Sequence, residues 1–522
     1  MSKFYITCAI DYPNAKPHIG TAFEKIGADV QARYRRIRGN KVYFLIGNDE
    51  NTIKVYQRAH ALGEKVPAYL KRLAGEFQQV WDVLNISYDK FIQTSSPQHH
   101  AVVRVLIQKL YDKKLIFKKN YVGPYCTGCE EYKTETSLVD GRCPSHPTDT
   151  LMIVEEENYF FALSKFQEQI LDLLEKNTIE VQPETRRNEV INFIREELRD
   201  ISITRKGQEW GIPCPFDENH KVYVWFDALL SYLTGSGYPV EINETWPPDF
   251  QFIGKDISRF HCGLWPAILL AVDLPLPKKI FAHGFVYERE GKSLIKSSKS
   301  GKSTNPLDLV NQYGVDAYRY YFLAKCSFGE DGEYELERFI DTYNSDLANT
   351  LGNLVSRVAN LALRINHGYL NATKAENVTW FTPEGLAQYA GFIESCRYNQ
   401  ALDFVWDILR KANAHMEKTR PWECTGLEEH KAVWVLRGLV AGFRIVSLLL
   451  APFLPTTATK IYHSFSQTRS WQAAQSWSYY EQVAANNYAG LQDNLWVVGD
   501  GLIDSSEGSR YKPLFPRIRK TD

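Results

Sequence analysis

The sequence predicts an α/β protein in which a parallel sheet is interrupted by an inserted module and followed by a helical bundle. Three observations support this fold class. Strand and helix patterns alternate near the N-terminus, a segment rich in Cys, Pro and Gly breaks that rhythm, and long helical periodicity follows. The 522 residues are 44% hydrophobic and 24% charged, which suits several globular domains and excludes a disordered, collagenous or coiled-coil chain.

The first elements follow a strand–loop–helix–strand order. Lys3–Ile10 has the pattern of a strand, the turn-rich loop Asp11–Gly20 follows, and an amphipathic helix ends near Gly39. Val42–Ile46 predicts a second, buried strand. Ligands of parallel α/β sheets bind beyond the carboxyl ends of the strands, so we expect the chemistry at the loop Asp11–Gly20.

A different pattern occupies Phe117–Asn219, which we interpret as an inserted module. The sheet pattern then resumes in KVYVWFDALLSYL, FQFIGKDISRFH and KKIFAHGFVY, and helical periodicity covers Leu336–Phe465. The most apolar stretch, Gly438–Pro455, is interrupted by Arg444 and Pro452, so we expect no clean membrane span.

Charge and cysteine content limit how the protein could bind a nucleic acid and where in the cell it is expected. The formal net charge is −1, so a nucleic-acid partner would have to be held by a local basic face. We expect neither a secretory signal nor a basic presequence at the N-terminus. The nine cysteines are an odd number in a long chain, which favours a reducing, cytoplasmic location over a disulfide framework.

The motif Pro17-His18-Ile19-Gly20 lies between the first strand and the first helix. Backbone N–H groups at a helix N-terminus can bind phosphate, an imidazole can donate to a phosphate oxygen, and a glycine lets a flat ring approach the backbone. By itself the motif is more typical of a histidine in a turn.

A second motif is the basic loop GKSLIKSSKSGKS, which carries Lys292, Lys296, Lys299 and Lys302. One interpretation is a solvated loop that contacts RNA phosphates. The other is a mobile cationic lid over a triphosphate, in which lysines stabilise the charge that develops on pyrophosphate.

The third motif has the spacing of a metal site. Cys126-x-x-Cys129 is followed by Cys143-x-x-His146, and paired thiolates with one imidazole suit tetrahedral zinc. Four protein ligands would close the coordination sphere, so the sequence predicts a structural Zn²⁺ site. The alternative is a chance grouping among nine cysteines.

The first two motifs, in this order on an α/β frame, mark class I aminoacyl-tRNA synthetases, and the sequence resembles the methionyl-tRNA synthetase family in particular. The stretches that carry this resemblance run from near the first residue to the last few: NAKPHIG, the zinc segment, EEENYFFALSK, EWGIPCP, YVWFDALLSYLT, FIGKDISRFHCGLWPAILLA, LPLPKKIFAHGF, YGVDAYRYYFL and PLFPRI.

The resemblance implies site residues for both small substrates. For ATP it implies the first motif, the ribose positions and the lysine loop, with Lys299 as the main transition-state lysine: His18, Gly20, Thr21, Gly254, Asp256, Lys296 and Lys299. Mg²⁺ would accompany the ATP phosphates. For L-methionine it implies an apolar pocket and one carboxylate for the ammonium group: Ile10, Tyr12, Asp49, Trp225, Ala228, Tyr232, Phe260, His261 and Trp265. Aromatic walls suit a thioether, and we expect homocysteine, one methylene shorter, to compete. Single aromatics in this set could equally be ordinary core residues.

The resemblance also assigns the C-terminal bundle to the anticodon of tRNA(Met). Asn353 and Arg357 lie one helical turn apart and match the anticodon contacts, although a polar surface face gives the same pattern. The stacking tryptophan could be Trp422, Trp471 or Trp477.

The implied domains follow from these assignments. Two halves of a Rossmann-type catalytic domain enclose a connective insertion, and three further regions follow: 1–117 and 221–287 for the catalytic halves, 118–220 for the insertion with its zinc knuckle, 288–340 for the KMSKS loop and stem contact, 341–500 for the helical anticodon-binding domain, and 501–522 for a tail that packs back.

Three positions depart from the family pattern. Thr21 replaces a histidine, Asn51 replaces the histidine of DEHG, and Ser297 replaces the methionine of KMSKS. These changes are compatible with lineage variation or with a paralogue that uses another substrate.

The expected function is therefore that of a class I methionine–tRNA ligase, a monomer without membrane association. Two alternatives are an adenylate-forming enzyme for another amino acid or carrier, and a non-catalytic RNA-binding or assembly protein.

Overall fold

The computed structural model describes residues 2–13, 16–126, 131–133, 138–144, 150–196, 198–239, 242, 246–290, 293–296, 304–365, 370, 380–465, 470–485, 503–504, 510–511 and 513–519. The strands are, in chain order, β1 (Lys3–Cys8), β2 (Lys41–Asn48), β3 (Lys90–Gln93), β4 (Ile116–Cys126), β5 (Glu131–Tyr132), β6 (Met152–Phe161), β7 (Glu180–Gln182), β8 (Ile201–Ser202), β9 (Thr204–Lys206), β10 (Pro213–Cys214), β11 (Asp217–Val222), β12 (Phe250–Gly254), β13 (Lys279–His283), β14 (Val286–Glu290), β15 (Ser293–Lys296), β16 (Gly332–Tyr334), β17 (Ile503–Asp504) and β18 (Arg510–Tyr511).

The α-helices are, in chain order, α1 (Ile19–Ile37), α2 (Ile53–Ala61), α3 (Val66–Val83), α4 (Pro97–Asp112), α5 (Gln167–Glu175), α6 (Glu184–Glu196), α7 (Val224–Gly235), α8 (Trp265–Ala271), α9 (Pro306–Tyr313), α10 (Val315–Lys325), α11 (Leu336–Thr342), α12 (Asn353–Arg364), α13 (Pro383–Glu394), α14 (Tyr398–Thr419), α15 (Glu429–Leu450), α16 (Pro455–Phe465), α17 (Trp471–Ala474) and α18 (Trp477–Ala485). Two π-helical segments, Phe260–Leu264 and Tyr343–Gly352, precede α8 and α12.

The central sheet has six strands in the order β3-β2-β1-β12-β13-β7, and every neighbouring pair is parallel. The strand order reverses between β1 and β12, which is the point where a parallel α/β sheet opens a crevice for ligands. The predicted α/β class with a parallel sheet is thus confirmed. The first strand ends at Cys8, two residues before the predicted limit.

Helix α1 covers one face of this sheet. Its apolar residues recur at helical spacing, and Ala22, Phe23, Ile26 and Val30 are buried against the strands. The helix gives way to a turn at Gly39, which has a φ of +82°. The length and register of α1 place its N-terminus at the carboxyl edge of β1.

The inserted module contains antiparallel sheets. Strands β5-β4-β6-β8 form one sheet, and β10-β11-β9 form another. Strand β7, although it lies within the range 118–220, pairs in parallel with β13 and extends the central sheet.

The C-terminal region is helical, as predicted, and α15 runs through its centre. The stretch Gly426–Leu450 is, among the described residues, long and apolar enough to cross a membrane, but 89% of its most apolar window is buried inside the protein. Arg444, which interrupts the apolar sequence, donates from Nε to the carbonyl of Phe465 at 2.8 Å. This burial is typical of the core helix of a bundle.

The bundle packs directly on α1. Tyr398 donates its hydroxyl proton to the carbonyl of Gly27 at 2.8 Å, and Tyr34 donates to Glu394 at 3.0 Å. The fully buried Arg319 of α10 donates to Asp29 of α1 at 2.7 Å and to the carbonyl of Phe453 at 2.7 Å.

The described part of the C-terminal tail also contacts the bundle. Asn344 and Ile518 exchange two hydrogen bonds of 3.0 and 2.9 Å, and Phe515 meets the Tyr343 ring edge-on.

Candidate active site

The loops that follow β1 and β2 are joined at the carboxyl edge of the sheet. The backbone N–H of Asp11 donates to the carbonyl of Gly47, and the N–H of Asp49 donates to the carbonyl of Asp11, both at 2.8 Å. These bonds continue the β1–β2 pairing beyond the strands and bring the predicted residues Ile10, Tyr12 and Asp49 to one edge. Asp49 is buried, with 1% of its surface exposed.

His18 caps the N-terminus of α1. Its Nδ1 accepts from the N–H of Gly20 at 3.1 Å, while its own N–H donates to the Thr21 hydroxyl at 3.0 Å and that hydroxyl donates to the carbonyl of His18 at 2.8 Å. Because Nδ1 is an acceptor, the proton of the neutral ring lies on Nε2. The threonine that replaces a histidine in the motif therefore completes a capping box.

The residues predicted to bind methionine include aromatic rings from several elements that pack against one another. Trp225 of α7 stacks on Phe260, with ring centroids 4.4 Å apart and planes within 4°, and Tyr12 lies 6.1 Å from Trp225. Trp265 is fully buried and meets the Tyr232 ring edge-on at 5.8 Å. Ala228 is also buried, on the same helix as Trp225.

A buried polar pair lies among these rings. The Tyr232 hydroxyl and His261 Nε2 are 2.8 Å apart, and His261 Nδ1 lies 3.2 Å from the carbonyl of Ile257. Burial lowers the pKa of His261 to about 4, so the ring is neutral. A neutral ring that donates from Nδ1 to the carbonyl accepts at Nε2, so the tyrosine donates its proton to the histidine.

Asn51, which departs from the family pattern, connects the second loop to α7. Its Nδ2 donates to Asp227 Oδ2 and to the carbonyl of Thr94, each at 2.9 Å. Asp227 Oδ1 lies 2.6 Å from His99 Nε2. The asparagine thus holds the backbone beside Asp49 to the helix that carries Trp225.

Gly254 and Asp256 lie at the carboxyl end of β12, next to the switch point. A Cβ atom on Gly254 would lie 2.7 Å from Asp256 Oδ1 and 4.0 Å from His283 Nε2. A side chain at position 254 would therefore displace this carboxylate.

The residues on either side of the undescribed part of the lysine loop, Lys296 and Thr304, both contact strand β14. Lys296 is the last residue of β15, and its backbone pairs with Tyr287. On the other side of the loop, Thr304 donates its hydroxyl proton to Glu288 at 2.7 Å. Lys299, like residues 297–303 as a whole, lies outside the described residues.

Lys25 is a site residue that the sequence reasoning missed. It is fully buried, and its Nζ donates to Asp11 at 3.0 Å, to Glu24 at 2.8 Å and to the carbonyl of Ala9 at 2.9 Å. Glu24 in turn lies 2.9 Å from His283 Nε2. Periodicity gave no signal for it, because Lys25 lies off the apolar stripe of Phe23, Ile26 and Val30 on α1.

These charges shift one another. Burial raises the pKa of Asp11 to about 6 despite the nearby ammonium. Burial also opposes ionisation of Glu24 and Lys25, but the attraction of Lys25 to Asp11 and Glu24 and the contact of Glu24 with His283 prevail. The pKa of Glu24 is therefore lowered and that of Lys25 raised from their ordinary values.

The predicted anticodon residues lie on α12. Asn353 is exposed at its first position, and Arg357 pairs with Glu417 at 2.8 Å. The Arg357 guanidinium also lies 5.2 Å from the Trp422 ring centroid. Trp471 instead contacts Tyr462, and Trp477 contacts Tyr34, so Trp422 is the tryptophan beside Arg357.

Two of the four predicted zinc ligands are described. Cys126 ends β4 and Cys143 follows a short turn, and both are fully buried. Buried thiols at the ends of antiparallel knuckles fit a zinc site by their chemistry. Cys129 and His146 lie outside the described residues, and no group of three metal-ligating side chains occurs among those that are described.

A cavity of about 770 Å³ lies between β7, β13 and the start of α14, and Gln182, Phe281 and Arg397 contribute to its lining. None of the predicted site residues lines it. The aromatic and polar cluster at the carboxyl edge of β1 and β12 therefore remains the candidate site.

The parallel sheet, the histidine-capped helix at its switch point and the appended helical bundle define the class I tRNA synthetase type. The family model "tRNA synthetases class I (M)" matches residues 4–152 and 147–359. The methionine–tRNA ligase of Clostridium acetobutylicum is 40% identical over 88% of this chain and 72% of its own length, and that of Streptomyces coelicolor is 40% identical over 88% and 89%.

Solved structures agree with these relatives. The Mycobacterium tuberculosis methionyl-tRNA synthetase in complex with methionyl-adenylate is 33% identical, with a TM-score of 0.87 over 99% of this chain and 100% of that one. A second structure of that enzyme with the same adenylate gives a TM-score of 0.85 at 35% identity, over 92% of this chain and 96% of that one. The chain belongs to the methionyl-tRNA synthetase family.

Proposed function

We propose that this chain is a methionine–tRNA ligase that activates L-methionine with ATP and transfers the methionyl group to tRNA(Met) for protein synthesis. Family membership supports this activity. The observation that carries it is the cluster of packed aromatic rings from Trp225, Phe260 and Trp265 with the buried Tyr232–His261 pair among them.

In this proposal the methionine side chain lies against Trp225, Phe260 and Trp265. Aromatic carbon and sulfur attract through dispersion, which contributes about 0.3–1.5 kcal/mol for each contact. Asp49 binds the substrate ammonium group, so the charge of this buried carboxylate is compensated when substrate is bound. Ile10, Tyr12 and Ala228 complete the walls.

ATP lies across the switch point, with its phosphates at the start of α1 and its ribose at Gly254 and Asp256. His18 donates from Nε2 to a phosphate oxygen, and Gly20 and Thr21 keep that imidazole in place through the cap. Lys296 and Lys299 stabilise the charge that develops on the departing pyrophosphate. Mg²⁺ held by the phosphate oxygens would neutralise part of that charge.

The two steps need no covalent bond to the enzyme. A methionine carboxylate oxygen attacks the α-phosphorus of ATP and pyrophosphate leaves, giving methionyl-adenylate. A ribose hydroxyl of the terminal adenosine of tRNA then attacks the acyl carbon and displaces AMP, and the hydroxyl proton passes to solvent. The residues named above act by positioning and by stabilising charge.

The anticodon of tRNA(Met) would bind at the face of α12. Arg357 and Asn353 present hydrogen-bond donors suited to base edges, and the adjacent Trp422 ring can stack on an unpaired base. Arg357 would exchange its partner, the Glu417 carboxylate, for the base.

We further propose a structural Zn²⁺ site at Cys126, Cys129, Cys143 and His146, because a closed set of four ligands leaves no position for water. A monomeric form and a cytoplasmic location accompany this proposal. The buried thiols of Cys126 and Cys143 are consistent with a reducing compartment.

The test is ATP–pyrophosphate exchange with each of the twenty amino acids. We expect exchange with methionine, with homocysteine as the competitor most able to replace it. His18→Ala should reduce exchange by about 10²-fold or more, whereas the exposed histidine variant His430→Ala should retain it. Exchange with a different amino acid would identify a paralogue with another substrate. Binding of tRNA without any exchange would identify an RNA-binding protein that has lost the activity.

A further inference from the structure

Lys25 occupies the centre of the site's buried charge cluster. No part of its side chain is exposed, and its three donor directions are taken by Asp11, Glu24 and the carbonyl of Ala9. The ammonium also lies 5.7 Å from the Trp81 ring. Its position is therefore fixed by contacts on several sides.

One arm of this cluster reaches the methionine side of the site. Lys25 bonds to Ala9 and to Asp11, which are the two neighbours of Ile10 in the chain. The backbone carbonyl of Asp11 also accepts from the N–H of Asp49. A shift of Asp11 would consequently move the pocket wall and the carboxylate proposed to bind the substrate ammonium.

The other arm reaches the nucleotide side. Glu24 accepts from Lys25 through one oxygen, and its second oxygen lies 2.9 Å from His283 Nε2. His283 is the register partner of Gly254, the proposed ribose residue. The two arms thus meet at one ammonium group.

Stability alone does not account for this arrangement. The cost of removing charges from water offsets much of their attraction, and apolar packing at the same depth often serves stability as well or better. Asp11 also retains a buried carboxylate oxygen, Oδ2, for which the described residues offer no hydrogen-bond partner. An incompletely paired cluster of buried charges is expected where position matters more than stability.

We propose that Lys25 is a positioning residue that holds the methionine and ATP halves of the site in register through Asp11 and Glu24. The proposal rests on the proposed function. It makes Lys25 responsible for the affinity of both substrates, although it touches neither.

The experiment measures KM for methionine and for ATP in pyrophosphate exchange, with the full chain and with Lys25→Met. The methionine side chain introduced at position 25 has a length similar to that of lysine and carries no charge. We expect both KM values to rise about tenfold or more, because misplacement by about 1 Å can cost up to 10²-fold. Lys71→Met, which removes an exposed lysine from α3, should leave both values unchanged.

Two further variants separate positioning from general destabilisation. Asp11→Asn should raise KM for methionine more than KM for ATP, and Glu24→Gln should do the reverse. A purely structural cluster would lower the melting temperature of each variant without this split, and that result would overturn the proposal even if Lys25→Met fails to fold. Folded Lys25→Met with both KM values within about twofold of the unmodified chain would also overturn it.

The proposed function fails separately from this inference. If the unmodified, folded chain shows no exchange with methionine, the function and the inference both fall. If it is active and the variants show no split, only the inference falls.

Discussion

Replacing Gly254 by alanine tests the nucleotide side of the site with one methyl group. The added Cβ would lie 2.7 Å from Asp256 Oδ1, closer than real Cβ contacts occur. The carboxylate must therefore move by about half an ångström or more, which exceeds the tolerance of a preorganised site. The atom displaced is the end of a side chain, so the strand itself should survive.

The size of the effect follows from the proposed role of Asp256. A hydrogen bond from a ribose hydroxyl to a charged carboxylate contributes about 1.5–3 kcal/mol. Its loss corresponds to a rise in KM for ATP of roughly 10- to 100-fold. The aromatic pocket is built from other elements, so KM for methionine should change little.

Pyrophosphate exchange at varied ATP and at varied methionine measures both constants. Gly75→Ala is the matched control, because nothing lies within 4 Å of an added Cβ on that exposed helix position. A folded Gly254→Ala variant with KM for ATP within about threefold of the unmodified chain would refute the ribose role. An equal rise in both constants would show instead that β12 is distorted.

Four other outcomes are expected. Tyr232→Phe removes the proton donated to His261 and leaves a buried acceptor, so the free energy of unfolding should fall by about 1–3 kcal/mol and KM for methionine should rise; an unchanged melting temperature and KM would contradict this. Burial lowers the pKa of His261 to about 4, so below about pH 6.5 the unfolded chain binds a proton that the folded chain does not. Stability should fall between pH 6.5 and 4, by about 2 kcal/mol at pH 5, and melting curves of His261→Gln should show a smaller pH dependence. Arg357→Leu should weaken charging of tRNA(Met) and leave ATP–pyrophosphate exchange, which needs no tRNA, unchanged. An equal loss of both activities would show that Arg357 does not act specifically on tRNA. Cys143→Ser should reduce the zinc content measured by atomic absorption, and full retention of zinc would remove this residue from the ligand set.

Local patterns predicted the first sheet elements well. Strands β1 and β2 and helix α1 are defined by apolar periodicity within each segment, so their sequence alone suffices. Strand β7 is different, because it is three residues long and pairs with β13 about a hundred positions away. Nothing within Glu180–Gln182 distinguishes it from the surrounding insertion.

The site was predictable where a family motif covered it. The contact of Trp422 with Arg357 depends on three-dimensional placement, which the sequence positions of three similar tryptophans could not convey. Lys25 carried no local signal, because it lies off the apolar stripe of α1 and its partner Asp11 lies outside that helix. Charge pairs across elements are invisible to periodicity.

The contacts between α1 and the bundle affect the order in which the chain can mature. The hydrogen bonds of Tyr34 with Glu394 and of Tyr398 with Gly27 join positions 360 and 371 residues apart. Because synthesis proceeds from the N-terminus, the face of α1 that packs on the bundle stays uncovered until the bundle has been synthesised and has folded. A nascent chain or a catalytic fragment that ends before Tyr398 would leave this face open to association with other chains. The bundle thus covers an exposed face of the catalytic domain in addition to its proposed role in binding RNA.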